Sequence, residues 1–356
     1  MIIDFHNDTL TKIFDNNEDF FSNNSSLQID AHKLSKVPIS ALFFAIWSNS
    51  FLSGASAHAL VCDRLQRART LFESDPHRFQ LCRSYEDLSL AEQEKRLGVF
   101  FSIEGGNALN DDLSSLKIFA ELGVKLITLT HFKGTSWATS DRDHHDRGLH
   151  GIGHEVVAEM NRLGIIIDVA HASKKTMSDV AKITSRPIVS SHTGLYALNP
   201  VPRSLTDEHL KLIANTEGVV AISFYPEHLT NKIDRDPASM KEFTKKIEAI
   251  DNSTSLSEWE KVAAENKLIN EEYPLPRRIP SYELIIDHIK HVVDLVGDNY
   301  VAIGSDFDGI PYAPEGLEDI SKITKLIELL HKRLHYRDSS IEKILGSNIK
   351  RLLKSV

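Results

Sequence analysis

The sequence predicts an α/β fold, a (β/α)8 barrel of the TIM type, on three observations. Eight short segments of β-forming residues recur along the 356-residue chain, and most of them are continuous apolar runs. Such runs are typical of parallel strands covered on both faces. Helical patterns separate most of the segments. No Gly-x-Gly-x-x-Gly follows the first one, so nothing favours the main alternative, an open doubly wound sheet. The eight segments are 1–6, 39–47, 98–104, 124–131, 164–171, 187–192, 218–225 and 300–306.

The helices between these segments are predicted from apolar residues spaced three and four apart. Thr206, followed by Asp207 and Glu208, has the pattern of a helix N-cap with an acidic first turn. The residues that share a helical face are Ile152, Val156, Met160 and Leu163 in one segment, and Ile285, Ile289, Val292 and Val296 in another.

A single barrel domain is predicted for residues 1–356. The segment from about 226 to 280 is too long for a simple loop and contains helix-like stretches. We interpret it as an insertion on the seventh strand-to-helix connection, near the mouth of the barrel. Further helices are predicted at about 316–356, after the last strand.

Composition excludes several classes of protein. The chain has 41 basic and 50 acidic residues and a net charge of −9, whereas nucleic-acid binding needs a basic surface. Cys62 and Cys82 give no disulfide framework and no cysteine-rich metal site. No signal segment is visible, and the longest apolar stretch, 39–47, is far too short to cross a bilayer. A soluble, cytoplasmic protein without a nucleic-acid or membrane partner is therefore expected.

Metal-capable side chains stand at the ends of five apolar segments. His6 and Asp8 close the first segment, and as residues i and i+2 of a strand they point to the same side. The others are Glu104, His171, His192 and Asp306. Because the carboxyl ends of barrel strands converge on one face, we expect these side chains to meet there. Histidine and carboxylate ligands without thiolate suit zinc, although manganese or iron would also fit. A carboxylate between histidine-bearing strands suggests a bridging ligand and two ions.

Four other histidines, His144, His145, His150 and His154, lie in a polar setting. We interpret them as part of a solvated loop and a helix start, outside the catalytic metal site.

The motifs of the chain resemble those of the membrane (renal) dipeptidase family of zinc metallopeptidases, and a soluble, bacterial-type member in particular. The resemblance covers almost the whole chain and implies a barrel of the metal-dependent amidohydrolase kind. The first motif is Asp-Phe-His-Asn-Asp-Thr-Leu at 4–10. The others lie at 103–106, 129–131, 167–173, 190–192, 202–203, 304–309 and 314–319.

The resemblance implies a role for each site residue. His6 and Asp8 bind one zinc ion, His171 and His192 bind the other, and Glu104 bridges them. A hydroxide shared by the two ions then hydrolyses the peptide bond of a dipeptide. Such family members are commonly homodimers.

The resemblance implies that three further residues act on the substrate. His131 contacts the scissile carbonyl and stabilises the oxyanion, and Arg203 holds the terminal carboxylate through its planar fork. Asp306 transfers the proton of the attacking water to the leaving amine, and it also meets the free amine of the substrate. The residue types alone leave Asp306 and Asp308 as alternatives, and the family pattern favours Asp306. Asp168, offset from His171 along its strand, is expected to support the fold or a ligand.

The residue types, taken without the resemblance, also allow two other functions. A hydrolase on the same barrel could act on a cyclic amide, lactam or lactone, although a carboxylate-binding Arg203 favours a free C-terminus. A barrel used only for binding would be expected to lose metal ligands, and this chain keeps all five.

Overall fold

The computed structural model describes residues 1–356 and confirms the predicted barrel. Eight parallel strands follow one another in chain order around the sheet, and a ninth lies outside it. The barrel strands are Ile2–Asn7 (β1), Ile39–Trp47 (β2), Leu97–Glu104 (β4), Val124–Thr128 (β5), Ile166–Asp168 (β6), Ile188–Thr193 (β7), Val219–Ile222 (β8) and Val301–Ile303 (β9). A parallel bridge between Asn7 and Phe307 closes the ring, with the Asp8 amide donating to the Phe307 carbonyl at 2.8 Å.

The additional strand, Phe79–Leu81 (β3), pairs with the start of β4 and was not predicted. It is only three residues long and partly exposed, so it lacks the apolar run that marks the others. Conversely, the predicted strands 124–131, 164–171 and 218–225 extend three residues beyond the sheet. Leu129, Val169 and Phe224 remain at most 1% exposed there, so burial at the barrel mouth, and not strand pairing, keeps these positions apolar.

Helices cover the outside of the sheet. Those before the long β8–β9 connection are Thr9–Asn16 (α1), Ala31–Leu34 (α2), Gly54–Glu73 (α3), Tyr85–Gln93 (α4), Ser114–Leu122 (α5), Gly153–Leu163 (α6), Lys174–Ile183 (α7) and Asp207–Asn215 (α8). The later ones are Pro226–Leu229 (α9), Pro237–Asp251 (α10), Glu258–Glu272 (α11), Glu283–Val296 (α12), Thr324–Leu334 (α13), Asp338–Glu342 (α14) and Asn348–Lys354 (α15). No helix combines the length and the apolar character needed to cross a membrane.

Alternate strand residues fill the inside of the barrel. A cluster of 17 buried residues includes Phe5, Phe43 and Phe100, and the rings of the last two stack with centroids 4.5 Å apart. Ile349 and Leu352 of α15 belong to the same cluster, so the C-terminal helix closes the lower end. Active sites of such barrels lie beyond this apolar filling, at the carboxyl ends of the strands.

Helices α10 and α11 lie over that polar end. Glu265 accepts a hydrogen bond from Asn49 at 3.4 Å, and Asp251 pairs with Lys133 at 2.6 Å. Asn49 follows β2 and Lys133 follows β5, so these contacts attach α10 and α11 to the mouth of the barrel.

Candidate metal centre

The side chain of Glu104, at the end of β4, lies at the centre of a buried polar cluster. One of its oxygens, Oε1, is 3.2 Å from His171 Nε2, 3.4 Å from His192 Nε2 and 3.8 Å from both His6 Nε2 and His131 Nε2. These residues come from four other strand ends, which meet because the barrel closes. A single carboxylate is thus shared by four imidazoles.

Two acidic residues complete the cluster on the β1 side. Asp8 Oδ2 is 3.3 Å from His6 Nε2, and the ligand atoms of His6, Asp8 and Asp306 lie within 4.8 Å of one another. On the other side, the Nε2 atoms of His171 and His192 are 3.0 Å apart. The seven residues are at most 8% exposed. The structure therefore brings together every residue that was predicted to bind metal.

The backbone at two of these positions is left-handed. His171 has φ of +61° and Asp306 has φ of +63°, where a residue other than glycine is strained. Each comes just after a strand, so the chain reverses there while the side chain still faces the barrel axis. Such strain persists only where the surroundings fix the conformation, which is common at functional sites.

Burial and mutual charge shift the pKa values of the cluster. Desolvation raises the pKa of Glu104 well above its ordinary value and that of Asp306 to about 7. Burial alone would lower the pKa of His6, but the carboxylates of Glu104 and Asp8 raise it to about 10. Burial lowers the pKa values of His171 and His192 well below the usual range, so both rings are neutral. The rings of His171 and His192 are thus already in the neutral form that a metal ion requires of its imidazole ligands.

The donor set fits a pair of metal ions. Both ring nitrogens of His6 and Nδ1 of His171 are buried without a hydrogen-bond partner, which is costly unless something else contacts them. Nitrogen and carboxylate oxygen donors without thiolate suit zinc. Glu104 lies between the His6–Asp8 pair and the His171–His192 pair, the place of a shared ligand.

Neighbouring groups fix the tautomers of two rings. Asp168 Oδ2 lies 2.6 Å from Ser191 Oγ, which in turn lies 2.9 Å from His192 Nδ1. If the hydroxyl donates to the carboxylate, Nδ1–H of His192 donates to the hydroxyl and leaves Nε2 free as a ligand. Trp47 Nε1 is 3.0 Å from His131 Nδ1 and only donates, so the proton of a neutral His131 resides on Nε2.

Arg203 reaches the cluster from the loop after β7. Its Nη2 donates to the His192 carbonyl at 2.5 Å, and Nη1 lies 3.5 Å from Thr193 Oγ1. Its Nε is buried without a partner. Part of the guanidinium is thus anchored at the site while other N–H groups remain free for a ligand.

Asp306 and Asp308 have different surroundings. Asp306 belongs to the cluster, whereas the carboxylate of Asp308 accepts bonds from the amides of Gln28 and Ile29 and from the hydroxyl of Thr9 at 2.7–3.2 Å. Asp308 therefore joins three chain segments outside the metal cluster.

Three residues near the cluster were not predicted. Trp47 contacts His131, Tyr225 packs against His228, and His228 Nδ1 lies 3.9 Å from Asp306 Oδ2. His228 belongs to α9, six residues beyond β8, so the rule of looking at strand ends missed it. In the sequence it directly follows Pro226 and Glu227, not an apolar run, as in an ordinary loop.

The other histidine-rich segment takes no part in the cluster. His144, His145 and His154 are exposed, and Nδ1 of His150 lies 2.8 Å from the Gly148 carbonyl. None of the four belongs to a group of side chains able to share an ion.

A closed parallel barrel with histidines and carboxylates at the carboxyl ends of its strands defines a metal-dependent hydrolase of the amidohydrolase kind. The whole chain, residues 1–356, matches the family model described as membrane dipeptidase, peptidase family M19. The chain belongs to this family of metallo-dipeptidases, as its motifs indicated.

Curated relatives are dipeptidases of fungi. Dipeptidase tcpJ of Claviceps purpurea (strain 20.1) is 30% identical over 340 residues, which cover 92% of this chain and 69% of the relative. Dipeptidase aclJ of Aspergillus oryzae is 33% identical over 264 residues, which cover 73% of this chain and 52% of the relative. Uncharacterized dipeptidase C965.12 of Schizosaccharomyces pombe is 29% identical over a match that covers 80% of this chain and 62% of the relative. The chain thus spans about half to two thirds of the length of these relatives.

Solved structures share the fold. The probable dipeptidase PvdM of Pseudomonas aeruginosa has a TM-score of 0.81 at 24% identity, with 100% of this chain and 95% of that chain covered. A metallopeptidase of Rhodobacter sphaeroides was crystallised with a phosphinate mimic of the dipeptide L-Ala-D-Ala. Its TM-score is also 0.81, at 21% identity, with 99% of this chain and 98% of that chain covered.

Proposed function

We propose that this protein is a zinc-dependent dipeptidase with two ions per chain. The observation that carries the proposal is the position of the Glu104 carboxylate, within 3.8 Å of four imidazole nitrogens. His6 and Asp8 would hold one ion, His171 and His192 the other, and Glu104 would be shared. Two zinc ions, when bound, polarise a carbonyl group and lower the pKa of water.

His131 would stabilise the oxygen of the scissile carbonyl. Burial, with Arg142 and Arg203 as further causes, lowers the pKa of His131 well below its usual range, so the ring is neutral. The indole of Trp47 occupies Nδ1, and the remaining N–H on Nε2 points toward Glu104. An N–H donor already in place for a developing negative charge costs no reorganisation during the reaction.

Asp306 would transfer protons. Its carboxylate lies with His6 and Asp8 at one side of the cluster, and His228 is next to it. There it can take the proton of the attacking water and return it to the nitrogen of the leaving amine. The same carboxylate can bind the ammonium group of the N-terminal residue.

Arg203 would bind the C-terminal carboxylate of the substrate. Its guanidinium is anchored to the His192 carbonyl, next to the predicted second ion, and its Nε is unpartnered. A carboxylate one residue beyond the scissile bond would find a fixed cation there. The names of the fungal relatives and the dipeptide mimic bound to the Rhodobacter enzyme support the same substrate class.

The proposal is tested by metal content and substrate range together. Metal-free protein reconstituted with zinc is expected to retain two ions per chain by mass spectrometry and to release amino acids from Ala-Ala. Glu104→Gln should retain fewer ions and lose turnover, because the amide cannot bridge. One ion or none in the wild type, or an unchanged count in Glu104→Gln, would remove the shared site. Hydrolysis of lactams or lactones without dipeptides would favour the cyclic-amide alternative.

A homodimer in the cytoplasm stays a prediction from the resemblance and the composition. Light scattering of the purified protein checks the dimer, for which about 80 kDa is expected from a chain of 40.0 kDa.

A further inference from the structure

A second arginine, Arg142, lies on the loop that follows His131 at the mouth of the site. Its loop is fixed to two residues of the cluster. The hydroxyl of Ser140 donates to the His131 carbonyl at 2.7 Å, and the amide of Asp141 donates to the His171 carbonyl at 2.9 Å. The amide of Arg142 itself donates to Ser140 Oγ at 3.2 Å. The position of Arg142 is therefore tied to that of the metal cluster.

Aromatic stacking directs the guanidinium of Arg142. It lies 3.7 Å from the centroid of the Phe132 ring. That ring is in turn 3.9 Å from the ring of His131 and 5.9 Å from the ring of His171. Stacking on an aromatic face leaves the N–H edge of a guanidinium free to bind an anion.

The guanidinium has no ionic partner of its own. No carboxylate oxygen lies within 4.0 Å of the Arg142 guanidinium, and Asp141 and Glu265 are the acidic residues of its surroundings. By contrast, Lys133, a cation two residues after His131, is already paired with Asp251. Arg142 is exposed, and its guanidinium stacks on the Phe132 ring, which packs against the ring of His131. Two guanidinium groups therefore act on the space above the metal cluster.

We propose that Arg142 is a specificity-determining residue that binds a second carboxylate, on the side chain of the C-terminal residue of the substrate. The proposal rests on the proposed dipeptidase function. The α-carboxylate of a dipeptide accounts for Arg203, and an unpaired cation on a fixed loop beside it remains for another anionic group. Dipeptides that end in glutamate or aspartate are then preferred to those that end in the neutral amides of the same shape.

The test compares Ala-Glu with the isosteric Ala-Gln on zinc-loaded enzyme. The wild type is expected to show a kcat/KM ratio of about 10 in favour of Ala-Glu, the low end for a charge-assisted contact because Arg142 is exposed. Arg142→Gln should bring the ratio close to 1. Arg147→Gln, which removes an exposed arginine from the same loop, is the matched control and should keep the wild-type ratio.

The ratios of kcat/KM for Ala-Glu and Ala-Gln decide whether Arg142 binds the second carboxylate. A ratio near 1 in the wild type, or the same ratio in the wild type and in Arg142→Gln, overturns the role of Arg142 while Ala-Ala hydrolysis leaves the dipeptidase proposal standing. An equal loss of preference in Arg147→Gln would assign it to the overall charge of the loop and also overturn the proposal. If no dipeptide is cleaved at all, the proposed function itself fails.

Discussion

Asp168 accepts hydrogen bonds from both the backbone amide and the hydroxyl of Ser191, at 2.9 and 2.6 Å. Ser191 precedes His192, and its oxygen lies 2.9 Å from Nδ1 of that ring. The pair thus connects β6 to β7 below the cluster and determines which nitrogen of His192 faces Glu104. A similar bond joins Asp4 to Ser305, the residue before Asp306, but no imidazole contacts that hydroxyl.

Ser191→Ala should weaken zinc binding about 10- to 100-fold, the usual effect of removing a group that orients a ligand. The orientation and tautomer of His192 are then no longer fixed. Zinc affinity is measured by competition with a chelating dye. Ser305→Ala removes a hydroxyl-to-aspartate bond of the same length, 2.6 Å, and serves as the control. Equal losses of affinity in both variants would contradict the proposed link to His192.

Trp47→Phe should lower kcat roughly 10-fold and leave metal content unchanged, since it removes only the donor that keeps the proton of His131 on Nε2. That factor is below the effect of deleting an oxyanion donor outright. The control is Trp137→Phe, the same exchange at a buried indole whose N–H has no partner. Equal falls in kcat for the two variants would show that packing, and not the tautomer of His131, is responsible.

Asp306→Asn should mainly lower the rate of hydrolysis, whereas Asp308→Asn should mainly lower the stability of the fold. The first is expected to lose 10² to 10⁴ in rate, the usual share of general acid–base catalysis, with the unfolding temperature little changed. The second should keep most turnover but lose about 1–3 kcal/mol of unfolding free energy, because the Asp308 carboxylate accepts bonds from Gln28, Ile29 and Thr9. A large rate loss in Asp308→Asn alone would reverse the assignment.

The sequence predicted the eight barrel strands because buried parallel strands leave continuous apolar runs, and it predicted the metal ligands because they end those runs. Trp47 and His228 could not be found in this way. Trp47 ends an apolar strand as one more apolar residue, and only folding reveals that its N–H meets His131, 84 positions away. Likewise β3 carries no apolar run, since it pairs on one side only. Contacts between distant segments are what the pattern of a single chain omits.

Acid should destabilise the protein partly through His288, a buried residue of α12. The Leu195 amide donates to its Nδ1 at 3.1 Å, and its Nε2 lies 2.9 Å from the Leu229 carbonyl, so both nitrogens are satisfied only in the neutral ring. Burial lowers the pKa of His288 from 6.5 to about 4. The unfolded chain therefore binds the extra proton first, and the free energy of unfolding falls as pH drops from about 6.5 to 4.

His288→Asn, which keeps an acceptor for the Leu195 amide, should flatten that part of the curve. The difference in slope between the two proteins, from urea unfolding at a series of pH values, isolates the contribution of this group, at most roughly 3 kcal/mol. Parallel curves for wild type and variant would exclude His288 as a source of the acid sensitivity.

Arg203 should make the enzyme select substrates by length, so that dipeptides are preferred to tripeptides. A tripeptide places its carboxylate roughly 3.5 Å farther from the scissile bond, and a dipeptide amide carries no charge, so both lose the contact with the guanidinium. A charge-assisted bond of about 1.5–3 kcal/mol corresponds to a 10- to 150-fold difference in kcat/KM. Ala-Ala should be cleaved faster than Ala-Ala-Ala and Ala-Ala amide by about this factor, and Arg203→Ala should narrow the gap. Because Arg203 also donates to the His192 carbonyl, zinc content of the variant must be checked first. Unaltered selectivity in a variant that retains its zinc would reduce Arg203 to an anchor of the loop.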